Sequence, residues 1–214
     1  MSTSQRLNEL YQRLLDAYGP LGWWPGESPF EVMVGAVLTQ NTNWANVVKA
    51  IANLKRAGVL SLPALGALER PRLAQLIRPA GYYNLKAGRL ANLLAMVNER
   101  YEGDLEWFFA QSTGEMRRSL LAVKGVGPET ADSICLYAAG KPVFVIDAYT
   151  FRILGRHGLA DQDMGYFELQ ELFMDALPAD AAMFNQFHAM LVNLGKDRCK
   201  KTNPVCQGCP AEGW

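Results

Sequence analysis

The chain has 214 residues, half of them apolar and a fifth charged, with 21 basic side chains balancing 21 acidic ones. That length is enough for one large domain or two small ones with a sizeable core, and the neutrality argues against holding nucleic acid by bulk charge while leaving room for a local basic patch. No apolar run is long enough to cross a bilayer and the opening MSTSQRLNELYQRL lacks the apolar centre of a signal peptide, so a cytoplasmic protein is expected.

Helical periodicity runs through nearly the whole sequence. LNELYQRLLDAY sets Leu7, Leu10, Tyr11, Leu14 and Leu15 at core-facing spacing. In GWWPGESPFEVMVGAVLTQ, two tryptophans and Pro25 precede Ser28, an N-cap residue, and Pro29, suited to the first helical position. NWANVVKAIANLKRAG is a further helix ending at Gly58, and NLKAGRLANLLAMVNERY a long amphipath. MRRSLLAV then leads into KGVGPETAD, where Gly125 and Gly127 flank Val126, and Pro128 and Glu129 suit a helix first turn. This loop reads either as a tight turn between core helices or as a seat for an anion on bare N–H groups. Cys135, alone in the next helical stretch, reads as a small buried hydrophobe.

Only PVFVI, residues 142–146, has strand character, and it is too short to build a sheet. IDAYTFRILGRHG, YFELQELFMDAL and AAMFNQFHAMLVNLG complete an all-α pattern of roughly ten helices. Asp147 heads the first of these three and reads as its N-cap. The tail, CKKTNPVCQGCPAEGW, gathers Cys199, Cys206 and Cys209. In a reducing compartment, clustered thiols bind metal more often than they form disulfides.

The run MRRSLLAVKGVGPETADSICLYAAGKPVFVIDAYTFRILGRHG resembles the helix-hairpin-helix DNA glycosylases of the endonuclease III superfamily. In that family such a hairpin is followed by a Gly/Pro loop, matched by Gly140 and Pro142, and by a catalytic aspartate, matched by Asp147. The likeness extends over nearly the whole chain. GAVLTQNT is similar to the segment that reaches into DNA at the lesion, and PAGYYNLKAGRL to a second DNA-facing turn. The resemblance implies two helical lobes with damaged double-stranded DNA and a flipped base in the cleft between them. One lobe is a six-helix unit over residues 29–133 carrying most of the hairpin motif. The other joins 1–28 to 134–214 and ends in a cluster loop, 199–214. It further implies that Gly125, Val126, Gly127 and Thr130 meet the DNA backbone. Gln40 plugs the hole left by the flipped base and Tyr82 wedges the opposite strand; read from the residues alone, Gln40 also suits a helix end and Tyr82 the core, with Tyr83 the better core candidate of the two tyrosines. Lys86, Arg89, Arg156, Lys200 and Lys201 could form a basic face, although each also reads as a solvated charge.

Bifunctional members of the family carry an attacking lysine in the helix after the hairpin, and here that position holds Glu129. A carboxylate cannot form an imine, so the resemblance implies a monofunctional enzyme that releases the base with water. Asp147 is the candidate to stabilise the cationic sugar and activate that water. Glu129 is the second catalytic candidate: it either lines the pocket and contacts the base or an active-site water, or only serves the helix dipole. WWP followed by FE and GAVLTQNT looks like the 3-methyladenine DNA glycosylase branch. Alkylated purines are cationic, and an aromatic wall from Trp24 and Trp44, shaped by Pro25, offers about 1–2 kcal/mol of cation–π attraction. One of Trp23 and Trp24 is expected in the core.

The cysteine spacing, x6 then x2, reproduces the first three of four 4Fe–4S ligands in endonuclease III relatives. The fourth would fall one position past Trp214, so either the protein continues or the site has three cysteine ligands. Zinc is the competing metal, but the tail has no histidine, and His188 on the preceding helix suits a core or supporting role. Two other readings stay open: a glycosylase/lyase for oxidised pyrimidines, and a non-catalytic helix-hairpin-helix DNA-binding protein. A monomer acting on DNA, with no membrane partner, is expected.

Overall fold

A computed structural model describes residues 1–161 and 163–214. It is all-helical. The described residues form α1 (Thr3–Tyr18), α2 (Pro29–Thr39), α3 (Trp44–Arg56), α4 (Leu62–Gly66), α5 (Arg70–Leu76), α6 (Tyr83–Tyr101), α7 (Leu105–Ala110), α8 (Thr113–Leu121), α9 (Pro128–Ser133), α10 (Ala148–Arg156), α11 (Tyr166–Ala176) and α12 (Ala181–Asp197). A 3₁₀ turn, Arg78–Ala80, precedes α6, and α9 runs on into a π-helical segment, Ile134–Ala138. The short helices α4, α5 and α7 are absent from the periodicity reading because one or two turns carry too few repeats of an apolar stripe.

The helices begin where cap chemistry places them. Ser2 and Gln5 form a reciprocal capping box at the head of α1. Ser28 accepts from the Glu31 N–H, with Pro29 at the first helical position. Asn43, Ser61, Asp104, Ser112, Asp147 and Asp180 cap their helices in the same way.

The chain divides into two compact units, Pro25–Lys141 and Met1–Trp24 with Pro142–Trp214. The first is built around α2, whose residues Phe30–Leu38 are all buried. A helix apolar on every face must be surrounded, and α3, α6, α9 and the π-helical segment pack against this one. Its one buried acid, Glu31, is neutralised by Lys55 at 2.9 Å. The hairpin joining α8 to α9 is fixed from outside by Arg117, which pairs with the fully buried Asp132 at 2.6 Å.

The other unit packs α12 against α1 and α10. Residues 142–146 enter it as a largely buried, irregular segment, and among the described residues no strand forms there. The backbone polar groups find side chains instead: Gln170 donates to the Phe144 carbonyl at 2.6 Å, and the Phe144 N–H meets the Met174 sulfur at 3.4 Å. The Phe144 ring stacks on Phe173 at 3.9 Å and meets Phe184 and Phe187 edge-on. This aromatic core anchors the residue that follows the segment, Asp147.

Candidate functional site

The hairpin loop turns on Gly125, whose φ of +98° suits only glycine, and a Cβ there would sit 2.4 Å from the Arg89 Cγ. Val126 and Thr130 are buried, while Gly125, Gly127 and Glu129 are exposed. The Val126 N–H is spent inside the turn on the Val123 carbonyl at 3.0 Å, which narrows the set of N–H groups the hairpin can offer outward. Gly127 is the N-cap of α9, without a side chain to cover that helix end. Glu129 stands in the first turn, where an acid complements the dipole.

Gln40, at the end of α2, is docked onto this hairpin. Its Nε2 donates to the Gly125 carbonyl at 3.1 Å and the Thr130 hydroxyl at 2.9 Å, and its Oε1 accepts from Arg89. Arg89 therefore spends its guanidinium on Gln40 and its stem on Gly125, where sequence reading gives a solvated charge or part of a basic face. Tyr82 ends the neighbouring turn with φ +45° and is 67% exposed, while Tyr83 is half-buried.

Lys86 departs furthest from expectation. It is not on a basic face but 1% exposed, and its ammonium donates to the Leu38 carbonyl at 2.9 Å and the Ala80 carbonyl at 2.7 Å. Burial, and then the nearby Arg89 charge, push its pKa down from 10.5 to about 8. The signal was available. Lys86 shares the α6 stripe of Leu90, Leu93 and Val97, so its register is that of a core residue.

Of the expected aromatic wall, Trp44 opens α3, half-buried, in the same unit as an exposed Pro25. Trp24 belongs to the other unit. There Trp23 and Trp24 are joined by a cis peptide and meet edge-on at 6.2 Å, with the Lys196 ammonium 5.6 Å from the Trp23 ring centre. Both are half-buried, so neither is the fully buried core residue expected of one of them.

Asp147, 9% exposed, caps α10 with one oxygen: Oδ1 accepts from the Thr150 N–H at 2.8 Å and the Thr150 hydroxyl at 2.9 Å. Its Oδ2 lies 3.6 Å from Nε2 of the buried His188. Burial lowers the His188 pKa, with Asp147 pulling the other way. The imidazole is thus held toward its neutral form beside the carboxylate.

In the tail, Cys199 is buried, Cys209 half-buried and Cys206 exposed. Burial pushes the Cys209 thiol up, a backbone hydrogen bond at Ala211 pulls it partly back, and the Cys199 and Cys206 thiols add to the rise. Arg156 is a tie and not part of a basic face: it donates to the Cys199 sulfur at 3.2 Å and to the carbonyls of Lys200 and Lys201. Arg152 holds the Cys199 carbonyl at 2.7 Å. The donor chemistry, thiols with an arginine N–H on one sulfur, suits a sulfur-bound cluster. Among the described residues, however, no three His, Cys, Asp or Glu side chains close around a metal site. Cys135 belongs to the other unit, where it is buried and its thiol is pushed up to about 12.

Residues 34–179 match the HhH-GPD superfamily of base excision DNA repair proteins. Across 207 residues, 96% of this chain and 94% of the relative, the sequence is 42% identical to a provisionally named DNA repair glycosylase of Methanocaldococcus jannaschii. The crystal structure of the H. pylori 3-methyladenine DNA glycosylase MagIII bound to 1,N6-ethenoadenine is 32% identical with a TM-score of 0.77, covering 92% of this chain and 98% of that one. A non-covalent endonuclease III–DNA complex superposes with a TM-score of 0.83 at 25% identity, covering 98% and 94%.

Proposed function

This chain belongs to the HhH-GPD superfamily of base excision DNA repair glycosylases, and from that membership we propose that it excises alkylated purines, 3-methyladenine first, without cleaving the strand. The observation that carries the reading is Glu129. It stands exposed in the first turn of α9, where lyase chemistry needs an amine. A carboxylate there cannot form an imine with the sugar, so water must displace the base and leave an abasic site. The likeness to a 3-methyladenine glycosylase supports the choice of base.

In this mechanism DNA is gripped through the hairpin backbone at Gly125 and Gly127, with Val126 and Thr130 shaping the loop, which adds affinity without reading sequence. Gln40 leaves its dock to fill the gap in the duplex and Tyr82 wedges the opposite strand. Trp24 and Trp44 stack on the flipped cationic base, with Pro25 shaping the pocket. Breaking the N-glycosidic bond builds positive charge on the deoxyribose. Asp147 offers Oδ2 to that charge and to the attacking water, while Oδ1 stays committed to α10. Cys199, Cys206 and Cys209 would hold a 4Fe–4S cluster, whose contribution is to order the tail, since hydrolysis needs no electron transfer. The protein acts as a monomer on damaged double-stranded DNA.

The test is an end-labelled duplex with one methylated adenine, incubated with protein and divided. We expect strand breaks only in the half treated with hot alkali. Breaks in the untreated half would overturn the monofunctional reading. The likeness to endonuclease III keeps a second reading in view, a glycosylase/lyase for oxidised pyrimidines. Borohydride trapping of a covalent complex on an oxidised-pyrimidine duplex would establish it.

A further inference from the structure

Two turns of the Pro25–Lys141 unit carry the residues assigned above to the DNA gap, and one buried amine touches both. We propose that Lys86 is a positioning residue that locks the Gln40 turn and the Tyr82 turn in one register, so that plug and wedge enter the duplex as a pair. The proposal rests on the roles given to Gln40 and Tyr82.

The carbonyls Lys86 binds are not arbitrary. Leu38 lies two residues before Gln40, in the last turn of α2, and Ala80 lies two residues before Tyr82, at the end of the 3₁₀ turn. Both carbonyls belong to helix ends, where acceptors lack intrahelical partners and a cation meets the negative end of the dipole. Lys86 itself sits in the first turn of α6, whose N-cap is Tyr82 in a left-handed conformation without a side-chain cap. One ammonium thus ties the backbone behind the plug to the backbone behind the wedge across 48 and 6 residues of sequence. Arg89, one turn further along α6, holds the Gln40 side chain in addition.

A role confined to core filling does not account for the residue. A methionine would occupy the same volume without the penalty of burying a charge, and that penalty is visible in the depressed pKa of Lys86. What a methionine lacks is the pair of N–H donors that join the two turns.

The test is a double-mutant cycle on an end-labelled duplex with a stable abasic analogue and 2-aminopurine opposite it: anisotropy of the end label gives half-saturation in every background, and 2-aminopurine fluorescence reports insertion into the gap. The wild-type chain should bind and raise the signal. Lys86→Met, checked as folded by thermal melting, should weaken half-saturation about tenfold, the scale of losing hydrogen bonds from a charged group. In a Gln40→Ala/Tyr82→Ala background the same change should cost less than about twofold, because the residues it positions are gone. Equal losses in both backgrounds would make Lys86 merely structural, and no loss in either would remove it from the process; both overturn the proposal. If Lys86→Met does not fold, Lys86→Gln is carried through the same cycle and judged by the same outcomes. The readout involves no base release, so a protein that fails to excise 3-methyladenine still answers it. Absence of any wild-type signal would overturn the Lys86 proposal itself.

Discussion

Asp147 divides its work between two oxygens, and the division can be tested one oxygen at a time. Oδ1 caps α10 through the Thr150 N–H and hydroxyl, and Oδ2 faces His188. Asparagine caps a helix about as well as aspartate, so Asp147→Asn should keep the melting temperature within about a degree. Under the proposed mechanism it removes the negative charge offered to the sugar cation, and single-turnover excision should fall by about 10²–10⁴-fold. Asp147→Ala should lose both functions, with a further loss of about 1 kcal/mol of stability, or roughly 2–4 °C in a chain of this size. Full excision by the Asn variant would show that Asp147 serves only the fold, and would take the proposed chemistry with it.

At the scale of one element, the hairpin separates its two glycines by physical role. Gly125 has a φ of +98° and Arg89 packed where a Cβ would go, whereas Gly127 has an ordinary φ of −96° and open space. Gly125→Ala must strain the backbone and displace Arg89, which releases Gln40, for a cost of about 1–3 kcal/mol. Gly127→Ala exchanges one N-cap residue for a poorer one, at up to about 1 kcal/mol. Thermal melts of the two variants should rank in that order, and affinity for undamaged duplex should fall further for Gly125→Ala. A Gly125→Ala protein as stable as the wild type would refute this account of the loop.

For the whole molecule, the four thiols provide a map of what is sealed and what is poised to react. Cys206 is exposed, whereas Cys135 is fully buried with its thiol held near 12. Thiolate is the reactive form, so native alkylation should reach Cys206 first and Cys135 only on unfolding. After anaerobic reconstitution with iron and sulfide, a visible sulfur-to-iron band should appear while Cys199, Cys206 and Cys209 become protected and Cys135 is unchanged. Cys206 remaining as reactive with iron present would rule out the tail as the cluster site.

Much of this was legible because it is local. Ser28 and Pro29, Asp147 three residues before Thr150, and the stripe of Leu7, Leu10 and Leu14 each act within about one turn of helix, where spacing alone decides the neighbours. The Gly-Val-Gly turn and the cysteine spacing belong to the same class, and with them the family was already recognisable. What only the tertiary structure decided are contacts between residues far apart in the chain. Lys86 turns inward because Leu38 and Ala80 present bare carbonyls to it. Gln40 rests on the hairpin 85 residues away, Arg156 is absorbed by the tail, and residues 142–146 are largely buried without becoming a strand. Periodicity shows which face of a helix is apolar, but the partner of a polar group on that face depends on which other helix end packs there.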